Sequence, residues 1–262
     1  MKAGLAREKI TPPEGTPMIG AARRDREGGS RSVHDDLYVR MLYLSQAGSA
    51  VLVASYDLCF LGRDDVDRLK RVLKRVLGAE TGLGPERILL ATTHTHAGPA
   101  LGTWAFAGYA PPNTAYLAQV ESATLRAAAK AAAGARPVTV RAGCGRTRVP
   151  MNRRRPLGDG TVVFGPHPGG VICDRLPVMS FADAGNRLVA LVFAASCHPS
   201  VASGHEISAD FPGAACAALD RRFGPAVSLF LQGAGGDAKP ASSAMPDVNP
   251  SPLRERSGRR PG

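Results

Sequence analysis

The sequence predicts an α/β domain with a mixed, largely parallel sheet built from βαβ units, with flanking helices and a functional site at the carboxyl ends of the strands. Two observations lead to this prediction. Short apolar runs alternate with helical segments along the chain, which is typical of α/β domains. Histidine-rich and aspartate-containing segments directly follow several of the apolar runs, and open α/β sheets bind ligands just beyond such strand ends.

The first βαβ unit lies between residues 51 and 92. Residues 51–56 read Val-Leu-Val-Ala-Ser-Tyr and are typical of a buried strand. Residues 63–77 repeat apolar side chains at helical spacing, and residues 87–92 form a second apolar run. Because a helix crosses over between the two strands, we expect them to be parallel.

A second unit follows the same logic nearer the carboxyl terminus. Residues 188–195 predict a buried strand, and residues 212–223 predict a helix that Asp210 opens near its N-cap. Residues 227–231 predict the strand that completes the unit. This pair of strands should also be parallel.

The chain between and after the two units is less regular. We expect an alanine-rich helix over residues 116–133, a strand over 138–144 and a loop rich in Arg, Gly and Pro over 150–170. After residue 240 the chain becomes rich in Ser, Pro and Arg without periodicity. The sequence therefore predicts one α/β domain over residues 1–240 and a low-complexity, disordered tail over residues 241–262.

The overall composition is that of a soluble globular protein, with 44% hydrophobic and 21% charged residues. No apolar run approaches the roughly 20 residues that span a bilayer, so no transmembrane helix is expected. The first residues lack the apolar core of a secretory signal. The expected location is therefore cytoplasmic, with a secreted or membrane-peripheral protein left open.

The net charge of +11 is spread along the chain, and aromatic residues make up only 5%. This argues against specific nucleic-acid binding, which needs aromatic stacking platforms or a concentrated basic patch. An anionic membrane surface is compatible with the charge, and the sequence predicts no particular oligomeric state. The five scattered cysteines, with no Cys-x-x-Cys spacing, argue against a disulfide framework or a zinc finger and are expected to be small buried residues.

Three histidines follow predicted strands. His94 and His96 lie directly after the strand over residues 87–92, and His198 follows the strand over residues 188–195. In an extended backbone, side chains two residues apart point to the same side, so His94 and His96 could face one cation at about 2.0 Å. Convergence of the three imidazoles is therefore expected. The competing interpretation is that they cap loops or bond backbone carbonyls, and the spacing alone leaves both open.

Two carboxylates occupy similar positions. Asp57 follows the strand over residues 51–56, and Asp237 follows the strand over residues 227–231, so either could orient an imidazole or act as a base. Residues 233–237 read Gly-Ala-Gly-Gly-Asp, without the Lys-Ser/Thr of a phosphate-binding loop. A tight turn that brings Asp237 close to a site is the preferred interpretation. The remaining histidines, which are expected to be ordinary structural residues, are His34, His167 and His205.

Seven short blocks match, in order, the pattern of one known family. They are residues 10–15 (Ile-Thr-Pro-Pro-Glu-Gly), 33–40 (Val-His-Asp-Asp-Leu-Tyr-Val-Arg), 93–99 (Thr-His-Thr-His-Ala-Gly-Pro), 152–153 (Asn-Arg), 197–199 (Cys-His-Pro), 207–213 (Ile-Ser-Ala-Asp-Phe-Pro-Gly) and 232–237 (Gln-Gly-Ala-Gly-Gly-Asp). On these blocks the chain resembles the neutral/alkaline (non-lysosomal) ceramidases, over the N-terminal part of their catalytic domain.

The resemblance implies a zinc-dependent hydrolase that cleaves the N-acyl amide bond of a sphingolipid or a related, ceramide-like lipid. It implies that His94 and His198 ligate Zn²⁺, while His96 lies beside the metal-bound water or the substrate carbonyl. In such sites zinc acts as a Lewis acid and lowers the pKa of a bound water. The implied partners are thus a lipid amide substrate and Zn²⁺.

Further roles follow from the same resemblance. Asn152 and Arg153 would contact substrate, and the guanidinium of Arg153 could stabilise a developing oxyanion or hold a polar headgroup. The expected catalytic residues are therefore His96, Arg153 and Asp237. For Arg153 the competing interpretation is an ordinary surface salt bridge.

The chain also departs from the family pattern. The family continues beyond the matched region, where the resemblance places a glutamate and a tyrosine that complete the zinc site, so a C-terminally truncated relative is expected. Lys239 stands where ceramidases have a serine in their Gly-Asp-x-Ser-Pro block. The alternative function is a non-catalytic relative that binds lipid or another chain through exposed apolar surface.

Overall fold

The computed structural model describes residues 1–21, 28–101, 113–223 and 227–243. The strands in these residues are β1 (Lys2–Lys9), β2 (Met18–Ile19), β3 (Ser32–Val33), β4 (Tyr38–Gln46), β5 (Ser49–Tyr56), β6 (Ile88–Thr92), β7 (Gly98–Pro99), β8 (Arg136–Pro137), β9 (Thr139–Arg146), β10 (Pro150–Pro156), β11 (Val162–His167), β12 (Arg175–Ala182), β13 (Leu188–Ala195), β14 (Glu206–Ile207), β15 (Val227–Gln232) and β16 (Ala238–Pro240). The α-helices are α1 (Arg63–Thr81), α2 (Thr114–Ala133) and α3 (Asp210–Phe223).

Two sheets stack face to face and are covered by helices on their outer sides. The first sheet has the strand order β6-β5-β4-β1-β8, and the second has the order β15-β13-β12-β9. Helices α1 and α2 pack against the first sheet and α3 against the second. Apolar side chains fill the space between the sheets, where burying them removes nonpolar surface from water. The fully or nearly fully buried ones are Ala3, Leu42, Phe181, Ala190 and Leu229.

Both predicted βαβ units are confirmed. β5 and β6 are parallel and joined through α1, and β13 and β15 are parallel and joined through α3. Asp64 and Asp65 lie in the first turn of α1, where negative charge complements the helix dipole. The helix ends at Gly82, which has φ 63° in the left-handed region that glycine adopts readily. The loops that contain the candidate residues follow the carboxyl ends of these four strands, β5, β6, β13 and β15.

The α/β class is confirmed, but the expectation of largely parallel sheets is wrong. Most strand pairs are antiparallel, including β1 with β4, β4 with β5 and β12 with both of its neighbours. A two-residue turn joins β4 to β5 at Ala47 and Gly48, with φ 50° and 75°. Two left-handed residues between strands make a tight hairpin, which forces the antiparallel direction.

The segment over residues 150–170 is not a loop. It contains the antiparallel pair β10 and β11, with β16 added on the other side of β10. The segment is rich in Pro, Gly and Arg, so the short run Val-Val-Phe at residues 162–164 was not recognised as a strand, although these residue types favour strands. This hairpin matters for the site because it carries Asn152 and Arg153.

The remaining predictions on organisation have mixed outcomes. The helix predicted over residues 116–133 and the strand predicted over 138–144 are confirmed as α2 and β9. Of the predicted tail, residues 241–243 form a short 3-10 helix and residues 244–262 lie outside the described residues. None of the described helices combines the length and apolar character needed to cross a bilayer.

The contact of α2 with β1 yields a first testable prediction. The carboxylate of Glu8 accepts hydrogen bonds from Lys130 at 2.6 Å and from Arg126 at 3.0 Å, and the Lys130 bond is the main cause that lowers the pKa of Glu8. Because the folded pKa lies below the unfolded one, this stabilisation is present above the ordinary pKa and is lost as pH falls through the folded value. We expect Glu8→Gln to lower the free energy of unfolding by roughly 0.5–1 kcal/mol at pH 7 and by less near pH 3.

Urea denaturation at the two pH values measures the effect. Glu86→Gln is the matched control, since Glu86 is exposed and its nearest cation, Arg87, is 3.8 Å away. An equal loss of stability in both variants would contradict a specific role for Glu8.

Candidate active site

Four loops that follow strands are joined by backbone hydrogen bonds. One bond joins the segments after β5 and β6, one crosses between the sheets from the segment after β6 to that after β13, and one joins the segment after β13 to β16, so the strand ends of both sheets hold the histidines in place. The bonds run from His94 N to Leu58 O at 3.0 Å, from His96 N to Pro199 O at 3.0 Å and from His198 N to Ala238 O at 3.1 Å. His94, His96 and His198 therefore lie at the carboxyl ends of strands, as the sequence predicted.

The imidazoles of His94, His96 and His198 converge. The Nε2 atom of His96 lies 2.8 Å from Nε2 of His198 and 3.4 Å from Nε2 of His94. The three ring centroids are 4.4–5.0 Å apart. The predicted meeting of three imidazoles at one point is therefore present in the fold.

The local backbone achieves this convergence differently from the prediction. β6 ends at Thr92, and His94 has φ 66°, in the left-handed region, so the pair does not lie on an extended strand. A residue other than glycine seldom adopts this conformation unless its surroundings hold it there. The ring of His94 is held by Cys59, whose carbonyl oxygen lies 2.8 Å from Nδ1.

The other ring nitrogens all face backbone carbonyl oxygens. Nδ1 of His96 lies 2.6 Å from the carbonyl oxygen of Gly20, and Nδ1 of His198 lies 3.3 Å from that of Gly235. We assign the ring protons of His94 and His96 to Nδ1, because a carbonyl oxygen can only accept, whereas Nδ1 of His198 also faces the guanidinium of Arg153 at 3.3 Å, which can only donate. His94 and His96 then present unprotonated Nε2 atoms 3.4 Å apart, an arrangement that a bound cation relieves and that metal-ligating histidines commonly show.

The electrostatics keep the His198 ring neutral. Burial lowers the pKa of His198 to about 3, and the positive charge of Arg153 acts in the same direction. A metal binds neutral imidazole, so this ring is available for coordination at neutral pH. The donor set of neutral imidazoles fits zinc and similar transition metals. Among the described residues, ligand atoms of Cys59, His94 and His96 also lie within 4.8 Å of one another.

Arg153 approaches the imidazoles from the β10–β11 hairpin. Its guanidinium donates to the carbonyl oxygen of Gly236 at 2.9 and 3.2 Å, and Nη2 lies 3.3 Å from Nδ1 of His198. The guanidinium also lies over the ring of Phe164, 5.0 Å from its centroid. The side chain is therefore fixed beside the site by contacts that are not salt bridges.

The structure places the other predicted residues around this centre. The side chain of Asn152 is buried, donates to the Val171 carbonyl oxygen at 2.7 Å and accepts from the Arg154 amide at 2.8 Å. The carboxylate of Asp237 is exposed, and its backbone oxygen accepts from the Arg153 amide. Their proposed roles in substrate contact and catalysis stay predictions.

Two further residues with predicted significance lie close by. Asp57 is buried beneath the loop and accepts a hydrogen bond from the Tyr38 amide at 2.9 Å, which ties the end of β5 to the start of β4. Lys239 lies in β16 opposite Met151, and burial lowers its pKa, as does the charge of Arg153. Asp57 thus fixes the end of β5 to β4, directly before the loop that contains Cys59.

Comparison with solved structures finds the same fold in known proteins. A ceramidase complexed with C2 matches with a TM-score of 0.77 and 21% identity, covering 91% of this chain and 38% of that one. Neutral ceramidase from Pseudomonas aeruginosa matches with a TM-score of 0.76 and 21% identity, covering 98% and 40%. This chain shares the fold of these ceramidases. It spans about two fifths of their length, and neither a family model nor a curated protein matches the sequence.

Within this ceramidase fold, two residues near the imidazoles escaped the sequence predictions. Cys59 was expected to be only a small buried residue, although its position two residues after Asp57 and the parallel pairing of β5 with β6 could have indicated that it faces His94. Gly20 lies outside the seven sequence blocks, and no signal in the sequence indicated that it contacts His96. The expectation of buried cysteines holds for Cys59, Cys197 and Cys216 and is wrong for Cys144 and Cys173, which are exposed.

Gly20 yields a second testable prediction. It has φ 122°, and a Cβ there would lie 2.7–2.8 Å from the Cα, Cβ and Cγ atoms of His96. We expect Gly20→Ala to lower the free energy of unfolding by about 1–3 kcal/mol and to displace the His96 ring, because both the backbone and the contact become strained. Chemical denaturation and the NMR signals of the His96 ring measure the two effects.

Gly15→Ala is the matched control for this prediction. Gly15 also has a positive φ, 81°, but no atom lies within 4 Å of the added Cβ. If the Gly15 and Gly20 variants lose equal stability and leave the His96 signals unchanged, the proposed clash with the ring is wrong.

Proposed function

We propose that this chain is a zinc-dependent hydrolase resembling neutral ceramidase, which cleaves the N-acyl amide bond of a ceramide-like lipid. One observation carries the proposal. Three imidazoles converge through their Nε2 atoms while their Nδ1 atoms face backbone carbonyls, at the end of a fold shared with solved ceramidases.

In this proposal, His94 and His198 hold the zinc ion. When bound, zinc supplies Lewis acidity that polarises the amide carbonyl and lowers the pKa of water. His96 lies beside both rings and can accept or return a proton through Nε2, while the carbonyl of Gly20 orients it. Arg153, held by Gly236, offers positive charge to the oxygen of the amide as it becomes negative.

The substrate class rests on the matched proteins and on charge. One matched structure is a ceramidase complexed with C2, and we carry a ceramide-like amide over to this chain. A net charge of +11 would favour approach to an anionic membrane surface that contains such a lipid. Asn152 and Arg153 would contact the substrate, and Asp237 would act as a further proton acceptor.

The test is hydrolysis of a short-chain N-acyl sphingosine by the purified chain, with zinc and after chelation. We expect release of the free fatty acid that requires zinc and returns when zinc is restored. The hydrolase proposal would be contradicted by a negative result with folded protein that holds one equivalent of zinc. That result is no release of fatty acid from any of the N-acyl lipids tested.

A second candidate function is lipid binding without hydrolysis, which one feature of the β10–β11 hairpin favours. Large apolar side chains are exposed along the hairpin and the loop after it, an arrangement that often marks an interaction surface. They are Leu157, Val162, Phe164, Val171 and Ile172. Binding to vesicles that Val171→Ser weakens, with no release of fatty acid, would favour this candidate over the hydrolase.

A further inference from the structure

Among the described residues, Cys59, His94 and His96 form a cluster of atoms that could bind a metal, and Cys59 contributes its thiol. It lies two residues beyond Asp57 in the loop after β5, and its side chain is 2% exposed. The parallel pairing of β5 with β6 brings this loop beside His94, whose backbone amide donates to Leu58 and whose Nδ1 faces the Cys59 carbonyl. The thiol position is therefore set by the same strand ends that set the histidines.

The distances allow the thiol to reach a shared cation. The Sγ atom lies 3.9 Å from Nδ1 of His94. Ligand atoms of Cys59, His94 and His96 all lie within 4.8 Å of one another. Around a tetrahedral zinc ion, with Zn–S near 2.3 Å and Zn–N near 2.0–2.1 Å, sulfur and nitrogen ligands are separated by about 3.5 Å. Because the 3.9 Å contact is to Nδ1, the nitrogen that faces the Cys59 carbonyl, coordination to a cation on Nε2 requires the Cys59 side chain to rotate toward the Nε2 side of the ring.

We infer that Cys59 is a thiolate ligand of the cation that the histidines hold, an inference that rests on the proposed zinc site. On coordination the S–H bond breaks, a sulfur–metal bond forms and the proton passes to solvent. A thiolate donor favours zinc, cobalt and cadmium over magnesium and manganese. The described residues then supply sulfur as well as nitrogen, and the site discriminates among metals more sharply than three imidazoles alone.

Cobalt(II) provides a test that does not depend on hydrolysis. A thiolate bound to cobalt(II) gives an intense near-ultraviolet charge-transfer band, whereas imidazole ligands give only weak visible bands. We expect the band in the cobalt-loaded wild-type chain and in Cys216→Ala, the matched control for a buried cysteine in the α3 core. We expect it to be lost in Cys59→Ala, with the visible bands retained.

X-ray absorption at the zinc edge of the wild-type chain gives a second measurement that needs no variant. We expect one sulfur neighbour at about 2.3 Å. Cobalt or zinc binding with nitrogen and oxygen neighbours only would overturn the role of Cys59 and leave the hydrolase proposal standing. A charge-transfer band that persists in Cys59→Ala would assign the sulfur to another cysteine and also overturn it. No stoichiometric binding of either metal would overturn both proposals.

Discussion

His94→Ala should abolish stoichiometric zinc binding and, with it, hydrolysis of N-acyl lipids. The ring of His94 is fixed by the carbonyl of Cys59 at 2.8 Å and points its Nε2 at His96. Altering residues that merely orient a metal ligand costs about 10–100-fold in affinity, so removing the ligand itself should weaken zinc binding by more than about 100-fold. Isothermal titration with zinc and metal analysis of the purified variant measure the loss.

His34→Ala is the control for this prediction. His34 is exposed and its Nδ1 contacts Asp35 at 2.7 Å, so its replacement should leave zinc affinity unchanged. A His94→Ala protein that still holds one equivalent of zinc with wild-type affinity would show that the imidazoles do not form the metal site.

Arg153→Met should separate zinc binding from catalysis. The guanidinium lies 3.3 Å from Nδ1 of His198, and its positive charge contributes to the lowered pKa of that ring. Removing the charge should therefore leave zinc affinity unchanged or raise it. Hydrolysis should fall by about 100–1000-fold in kcat, the usual effect of deleting a group that stabilises a developing oxyanion.

Arg154→Met serves as the matched control, since Arg154 is the exposed neighbour on the same strand. Its kcat should stay close to that of the wild type. Loss of zinc from Arg153→Met would assign Arg153 a purely structural role at His198, and an unchanged kcat would remove Arg153 from the reaction.

The sequence predicted the parts of the fold that depend on local periodicity. The repeat of apolar residues in α1 and the continuous apolar run of β13 are set by burial, so both βαβ units could be predicted. The antiparallel partners could not, because their direction depends on the Ala47–Gly48 turn and on pairings between distant segments. The β10–β11 hairpin was missed because it contains Pro and Gly, which are depleted in strands.

The sequence predicted which three histidines converge, but not the geometry by which they do so. Positions after strands pointed to His94, His96 and His198, since α/β sheets bind ligands beyond the carboxyl ends of their strands. That the ends of β6 and β13 meet from two different sheets was not predicted. The left-handed backbone at His94 and the carbonyl partner of each Nδ1 arise from contacts between loops, which spacing does not encode. The proximity of Cys59 depends on the same contacts.

The most direct test of the zinc site is an anomalous difference map from crystals of the zinc-loaded chain, measured above and below the zinc edge. We predict a single strong peak about 2.0–2.1 Å from Nε2 of both His94 and His198. A map in which zinc lies away from these rings, or in which their Nε2 atoms turn to other partners and no peak is present, would contradict the proposed site.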